Sequence, residues 1–129
     1  MALEYIAPEG VHEARGYTHV VRTSGSRTVY ISGQVGVKPD GSIPDTLEEQ
    51  SRQAHENLLG CLRSVGAGPE HVAKITTFVV DYAPEKREAI SAGRRAAFGD
   101  LFPASTLLGV QGLAQPALQI EVEATAVLD

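Results

Sequence analysis

The clearest periodic pattern of the chain lies near its C-terminus, where apolar or small residues alternate strictly with polar ones. Leu118, Ile120, Val122, Ala124, Ala126 and Leu128 form one set, and Gln119, Glu121, Glu123 and Thr125 lie between them. Successive side chains of a strand point to opposite faces of a sheet, so the alternation predicts a strand over 118–128. We expect its apolar face to pack on helices and its polar face to meet water or a partner.

Helical spacing marks two other segments. In 45–65, one apolar stripe is formed by Leu47, Ala54, Leu58, Cys61, Leu62 and Val65. Thr46 and Glu49 fit a capping box before this stripe, and Gly66 is suited to end the helix. A weaker apolar stripe follows Pro84 and runs to Ala97, which predicts a second helix.

Four further segments, rich in β-branched and aromatic residues, predict strands over 18–22, 28–35, 71–82 and 106–110. Ser24-Gly25-Ser26 predicts a hairpin turn between the first two. Gly33 interrupts the second strand, and a glycine there often marks a close approach by a backbone or a ligand.

The order ββ-α-β-α-ββ predicts one α+β domain over 1–129, with two helices on one face of one sheet.

Composition excludes several classes of function. The chain has a net charge of -5 and its basic residues are scattered, which disfavours nucleic-acid binding. A single cysteine, Cys61, excludes an internal disulfide and a cysteine-rich zinc site. The chain shows neither a signal-peptide pattern nor an apolar run that could span a bilayer, so we expect a cytoplasmic protein without membrane contact.

No cofactor or metal is expected either. The histidines His12, His19, His55 and His71 are not spaced as metal ligands, and Gly33-Gln34-Val35-Gly36 does not precede a helix as a dinucleotide motif would.

An ordered set of short motifs resembles a known family. It comprises Tyr-Ile-Ser-Gly-Gln at 30–34, Asp-Gly at 40–41, Gln50, Gln53 and Asn57-Leu58, Val-Ala-Lys-Ile-Thr-Thr-Phe-Val-Val-Asp at 72–81, Phe-Pro-Ala at 102–104 and Ile-Glu-Val-Glu-Ala at 120–124. In this order and spacing the chain resembles the Rid family, also called YjgF or L-PSP endoribonuclease-like, from about 16 to 127.

The resemblance implies a homotrimer with a chorismate-mutase-like fold, a mixed sheet and a small-molecule pocket at each subunit interface. In the deaminating members, water hydrolyses an enamine or imine and ammonia leaves. An arginine after Pro-Ala holds the substrate carboxylate, backbone N–H groups assist it, and a glutamate on the last strand positions the water.

Several residues fit this pattern. Tyr17 fits the pocket tyrosine, and Glu121 fits the catalytic glutamate. Ser32 and Gly33 fit the substrate-binding strand. Ser91 occupies the position where the family has an asparagine on its second helix.

Two positions depart from the family pattern. Ser105 occupies the arginine's place, and Leu107 stands where the family has a cysteine. A serine supplies one neutral hydrogen bond where a guanidinium supplies two charge-assisted ones, so a 2-imino acid becomes a poor candidate substrate. Arg94 or Arg95 could supply the charge instead.

Three functions remain open. The chain could be a divergent enzyme that acts on an enamine or imine, or a non-catalytic trimer that binds a small molecule. The acidic charge argues against the third, an endoribonuclease or translation inhibitor.

Overall fold

A four-stranded mixed sheet with two helices on one face is the main feature of the computed structural model, which describes residues 3–129. The elements are β1 (Leu3–Ile6), β2 (Val20–Thr23), β3 (Arg27–Val35), α1 (Leu47–Ser64), β4 (Val72–Val80), α2 (Arg87–Phe98), β5 (Ala104–Val110) and β6 (Ile120–Leu128), with short 3-10 turns at Pro69–His71 and Pro84–Lys86. The predicted α+β architecture is confirmed.

The strand order of the main sheet is β3-β6-β4-β5. β4 and β5 run parallel and are joined through α2, whereas β6 lies antiparallel to both β3 and β4. β3 and β5 therefore form opposite edges of the sheet.

The alternation of β6 is confirmed in three dimensions. Ile120, Val122 and Ala126 are completely buried under the helices, while Glu123 is exposed on the other face. Leu58 and Leu62 of α1 pack against this apolar face. The helix begins as predicted, because the Glu49 N–H donates to Thr46 Oγ1 at 3.1 Å.

Two motif residues of α1 tie the helix to neighbouring backbone. The Gln50 amide donates to Pro44 O and Ala117 O, both at 2.9 Å. The Asn57 amide donates to Val35 O and Val37 O, also at 2.9 Å. Both side chains satisfy carbonyls of loops and strand ends that would otherwise lack a partner, so their role is structural.

The predicted hairpin between the first two strands is wrong. β2 pairs with β1, a strand that the sequence pattern did not predict, and β3 pairs with β6. Leu3 of β1 is buried with Ala73, Val127 and Val21 on the face of the main sheet away from the helices. This second small core, formed by residues distant in sequence, draws β2 away from β3.

None of the helices among residues 3–129 is both long and apolar enough to cross a membrane.

Candidate functional site

A cavity of about 290 Å³ opens at the β5 edge of the sheet, on the face that the helices cover. Four of the seven predicted site residues line it: Tyr17, Ser91, Ser105 and Leu107. The cavity thus brings together residues from a loop, α2 and β5 that lie far apart in sequence.

The strand register explains why Ser105 and Leu107 point into the cavity. Ser105 is paired with Ile75 and Leu107 with Thr77 in the parallel β4–β5 ladder. Paired residues point to the same face of a sheet, and Ile75 and Thr77 are buried beneath the helices. Ser105 and Leu107 therefore share that face at an edge that no further strand covers.

The loop that carries Tyr17 is fixed to the beginning of β5. The Thr18 N–H donates to Pro103 O at 3.2 Å, and the Thr18 hydroxyl donates to Phe102 O. These bonds hold Tyr17 at the cavity, where its hydroxyl lies 3.1 Å from His12 Nε2.

The other three predicted site residues form a second group. The β3–β6 register shifts between Ile31 and Gln34, so that Ser32 and Gly33 lie in a bulge. A Cβ atom at position 33 would lie 1.7 Å from Glu121 Oε2. The close approach at Gly33 is therefore made by a side chain, the Glu121 carboxylate, and not by the backbone or ligand that the glycine suggested.

The two groups are separated within one chain. Glu121 is paired with Phe78, on the face of the sheet away from Ile75 and hence away from Ser105. The two edges, β3 and β5, lie about 14 Å apart, three strand spacings of roughly 4.8 Å. Neither Glu121 nor Ser32 nor Gly33 lines the cavity.

Three arginines line the cavity: Arg15, Arg87 and Arg94. Within residues 3–129 none of them forms a salt bridge, and no aspartate or glutamate lines the cavity. Arg95 instead lies on the exposed side of α2, with its Nη2 3.4 Å from Glu88 Oε2. Of the two arginines considered from the sequence, Arg94 is the one at the cavity.

Arg94 is partly buried, and its Nη1 has no hydrogen-bond partner among the described residues. Its guanidinium lies over the Phe102 ring, 5.4 Å from the centroid. Burial lowers the pKa of Arg94, and the neighbouring charge of Arg95 lowers it further. An arginine keeps its charge in proteins nevertheless, so the cavity wall stays cationic.

His55 of α1 is a cavity residue that the sequence did not single out. The side chain is 2% exposed, its Nδ1 lies 2.8 Å from Ser51 O, and its Nε2 has no hydrogen-bond partner among residues 3–129. Burial lowers the His55 pKa most, with a smaller contribution from the charge of Arg94. A histidine on the apolar side of a helix gives no signal in sequence that separates a core residue from a ligand-binding one.

Across the described residues, no three His, Cys, Asp or Glu side chains gather as metal ligands would.

Comparison with known proteins identifies the family. The family model described as endoribonuclease L-PSP matches residues 9–128, nearly the whole chain. The chain belongs to the L-PSP or Rid family. The resemblance drawn from its motifs is therefore confirmed.

Three relatives illustrate this membership. The crystal structure of YyfB from Yersinia pestis, a Rid-family protein of unknown function, superposes with a TM-score of 0.92 at 37% identity. The superposition covers 99% of this chain and 100% of the YyfB chain. The mouse 2-iminobutanoate/2-iminopropanoate deaminase is 31% identical over 103 residues, 78% of this chain and 74% of that protein. Mitochondrial mmf2 of Schizosaccharomyces pombe is 30% identical over 112 residues, 85% of this chain and 86% of that protein.

Proposed function

We propose that this Rid protein hydrolyses a small enamine or imine, or rearranges a related unsaturated compound, in a pocket that two subunits of a homotrimer build together. The observation that carries the proposal is the convergence of Tyr17, Ser91, Ser105 and Leu107 on one cavity. The imine deaminases among its relatives support the class of reaction. We also propose that the protein is located in the cytoplasm, although the relative from S. pombe is named as mitochondrial.

The chemistry assigns separate tasks to the second group of residues. Glu121 takes a proton from water as the water oxygen bonds to the imine carbon. The nitrogen receives this proton as the C=N double bond becomes a single bond, a second proton passes to it from the new hydroxyl, and the C–N bond then breaks, so that ammonia leaves and a carbonyl compound remains. The backbone N–H groups at Ser32 and Gly33 would stabilise negative charge that develops in this step.

Only a second chain can bring a Glu121 to this cavity, because the two groups lie on opposite faces of one chain's sheet. Exposed apolar side chains lie on both edge strands, with Tyr30 of β3 82% exposed and Leu107 and Leu108 of β5 41% and 44% exposed. A closed trimer would bury these surfaces, as cyclic oligomers do.

The mass in solution tests the assembly. We expect light scattering at micromolar concentration to give about 41 kDa, three times the 13.7 kDa of one chain. A monomeric mass would contradict the shared pocket and with it the catalytic use of Glu121.

The missing arginine limits the range of substrates. Loss of a hydrogen bond to a charged group costs about 1.5–3 kcal/mol, or roughly ten- to a hundredfold in affinity. Ser105 cannot make the two charge-assisted bonds of a guanidinium, so we propose that the protein is a poor deaminase of 2-imino acids.

Restoring the guanidinium should raise that activity. We expect Ser105→Arg to increase kcat/KM for 2-iminobutanoate about tenfold or more, measured as ammonia release. Ser105→Gln is the matched control, since it places a longer polar side chain at the same position without the charge or the two parallel N–H groups of a guanidinium.

Wild-type turnover equal to that of the mouse deaminase, or no gain in Ser105→Arg, would contradict this limit. The broader proposal is tested by ammonia release from a panel of imines that differ in charge and size. If no imine is hydrolysed, the proposal fails and a ligand-binding trimer becomes the better account.

A further inference from the structure

We propose that Arg94 and His55 form a binding subsite on the helical wall of the cavity for a small carboxylate that also carries an N–H or O–H donor. The inference deepens the proposed function, since it takes the cavity to be the ligand site. It differs from the arginine position of the family pattern, because Arg94 lies on α2 and not at the start of β5, so a 2-imino acid held by Arg94 would bind without being placed for Glu121 as the β5 arginine would place it, and its turnover would stay poor.

Arg94 supplies the anion-binding half of the subsite. A buried charged donor without a partner is costly, and native proteins rarely leave one unpaired. Within the part of the chain that the structure describes, Nη1 has no partner and no carboxylate lines the cavity. Phe102 lies against the guanidinium and limits its movement, which prepares it for the two parallel bonds that a carboxylate accepts.

His55 supplies an acceptor beside this cation. Its Nδ1 lies 2.8 Å from Ser51 O, and because a carbonyl can only accept, Nδ1 must carry the proton. In the neutral ring Nε2 is then a bare acceptor, and burial favours that neutral form by lowering the His55 pKa. Nε2 has no donor among residues 3–129, Arg94 included, and has almost no accessible surface, so a ligand donor would satisfy it after a small shift of the cavity wall.

The charge around the cavity favours the same class of ligand. Three of the 11 basic residues of an acidic chain line it, and Arg15 and Arg87 are exposed there. Unpaired cations around a concave site attract small anions and raise their local concentration. A cavity of about 290 Å³ is at the small end of ligand pockets, which suits a compact acid.

Three small probes of similar size separate the two halves of the subsite. Lactate has both a carboxylate and a hydroxyl donor, propanoate has the carboxylate alone, and 2-hydroxypropanamide has the donor without the charge. Binding is measured by NMR titration of the whole protein, with the ¹⁵N shift of the His55 imidazole as the readout. We expect lactate to bind most tightly and to move the Nε2 resonance, and the amide to bind about 10- to 100-fold more weakly.

Variants assign each half to its residue. Arg94→Gln should weaken lactate binding about 10- to 100-fold, whereas Arg95→Gln, one position away and exposed, should leave it unchanged. His55→Leu fills the buried position with an apolar side chain and removes the acceptor, so it should abolish the preference for lactate over propanoate. Arg94→Lys keeps the charge but loses the planar fork, and it should bind lactate with intermediate affinity.

Unchanged lactate affinity in Arg94→Gln, or equal affinity for lactate and its amide, would overturn the subsite. Loss of folding in both Arg94 variants would overturn it too, by assigning the guanidinium a structural role. Lactate has no C=N bond, so its binding does not depend on turnover. Lactate binding without ammonia release from any imine would contradict the proposed reaction but not the subsite. Ammonia release that is the same in the wild type and in Arg94→Gln would contradict the subsite but not the reaction.

Discussion

Glu121→Gln is expected to lower the turnover of any imine substrate by about 10²–10⁴-fold, the usual contribution of a general base. The amide keeps the shape of the side chain over Gly33 but cannot accept a proton from water. Steady-state ammonia release measures the effect. The mass of the assembly and its melting temperature should stay as in the wild type.

Glu123→Gln provides the matched control. Glu123 lies two residues further along β6, on the same face, and is exposed. The same change there should leave turnover unaltered. If Glu121→Gln instead dissociates the assembly or lowers the melting temperature strongly, Glu121 is part of a subunit interface and not the general base.

The largest effect on stability is expected from Gly93→Ala, which should lower the free energy of unfolding by about 3 kcal/mol. A Cβ atom at Gly93 would lie 2.3 Å from Ser51 O and 2.5 Å from the Ser51 carbonyl carbon. These atoms are backbone of α1, so the two helices would have to move apart. The change would also disturb the buried bond from Ser51 Oγ to Ile90 O, which is 2.6 Å long.

Gly60→Ala on α1 is the control for this prediction, and urea denaturation measures both variants. The nearest atom to a Cβ at position 60 would be Arg63 Nη2 at 3.6 Å, an ordinary contact. Alanine is the better helix former by about 1 kcal/mol, so Gly60→Ala should stabilise the protein by up to that amount. A similar gain in Gly93→Ala would show that the helices do not pack as tightly as described.

Local pattern was sufficient for the main elements of this fold. The two-residue period of β6 fixed which side chains are buried, because a shift by one residue would have put Glu121 and Glu123 in the core. The stripe of α1 and its Thr46 cap depend on neighbours within two turns, and such information is present in sequence. Gly33 indicated a close approach by a backbone or a ligand, but the group that lies there is the Glu121 side chain.

Strand pairing needed the tertiary structure. A three-residue turn between β2 and β3 favours a hairpin locally, yet β2 pairs with β1 because Leu3 is buried there with Ala73 and Val127. Some of those contacts, such as that of Leu3 with Val127, join residues more than a hundred positions apart. Local spacing carries no information about them.

The sequence motifs named candidate site residues but not their arrangement. The family motifs pointed to Tyr17, Ser105 and Glu121 alike, but only the sheet order and register show that Glu121 lies on the other face from Ser105. His55 could not be found from sequence at all, since its place in the proposed subsite depends on a ring nitrogen without a partner among residues 3–129 and on a cavity that it shares with Arg94. The sequence by itself determined the family, the two helices, the strands of the main sheet and the buried face of β6, because these follow from local periodicity and ordered motifs. The tertiary structure decided which polar groups meet and which stay unpaired, because that depends on the packing of helices and strands distant in sequence.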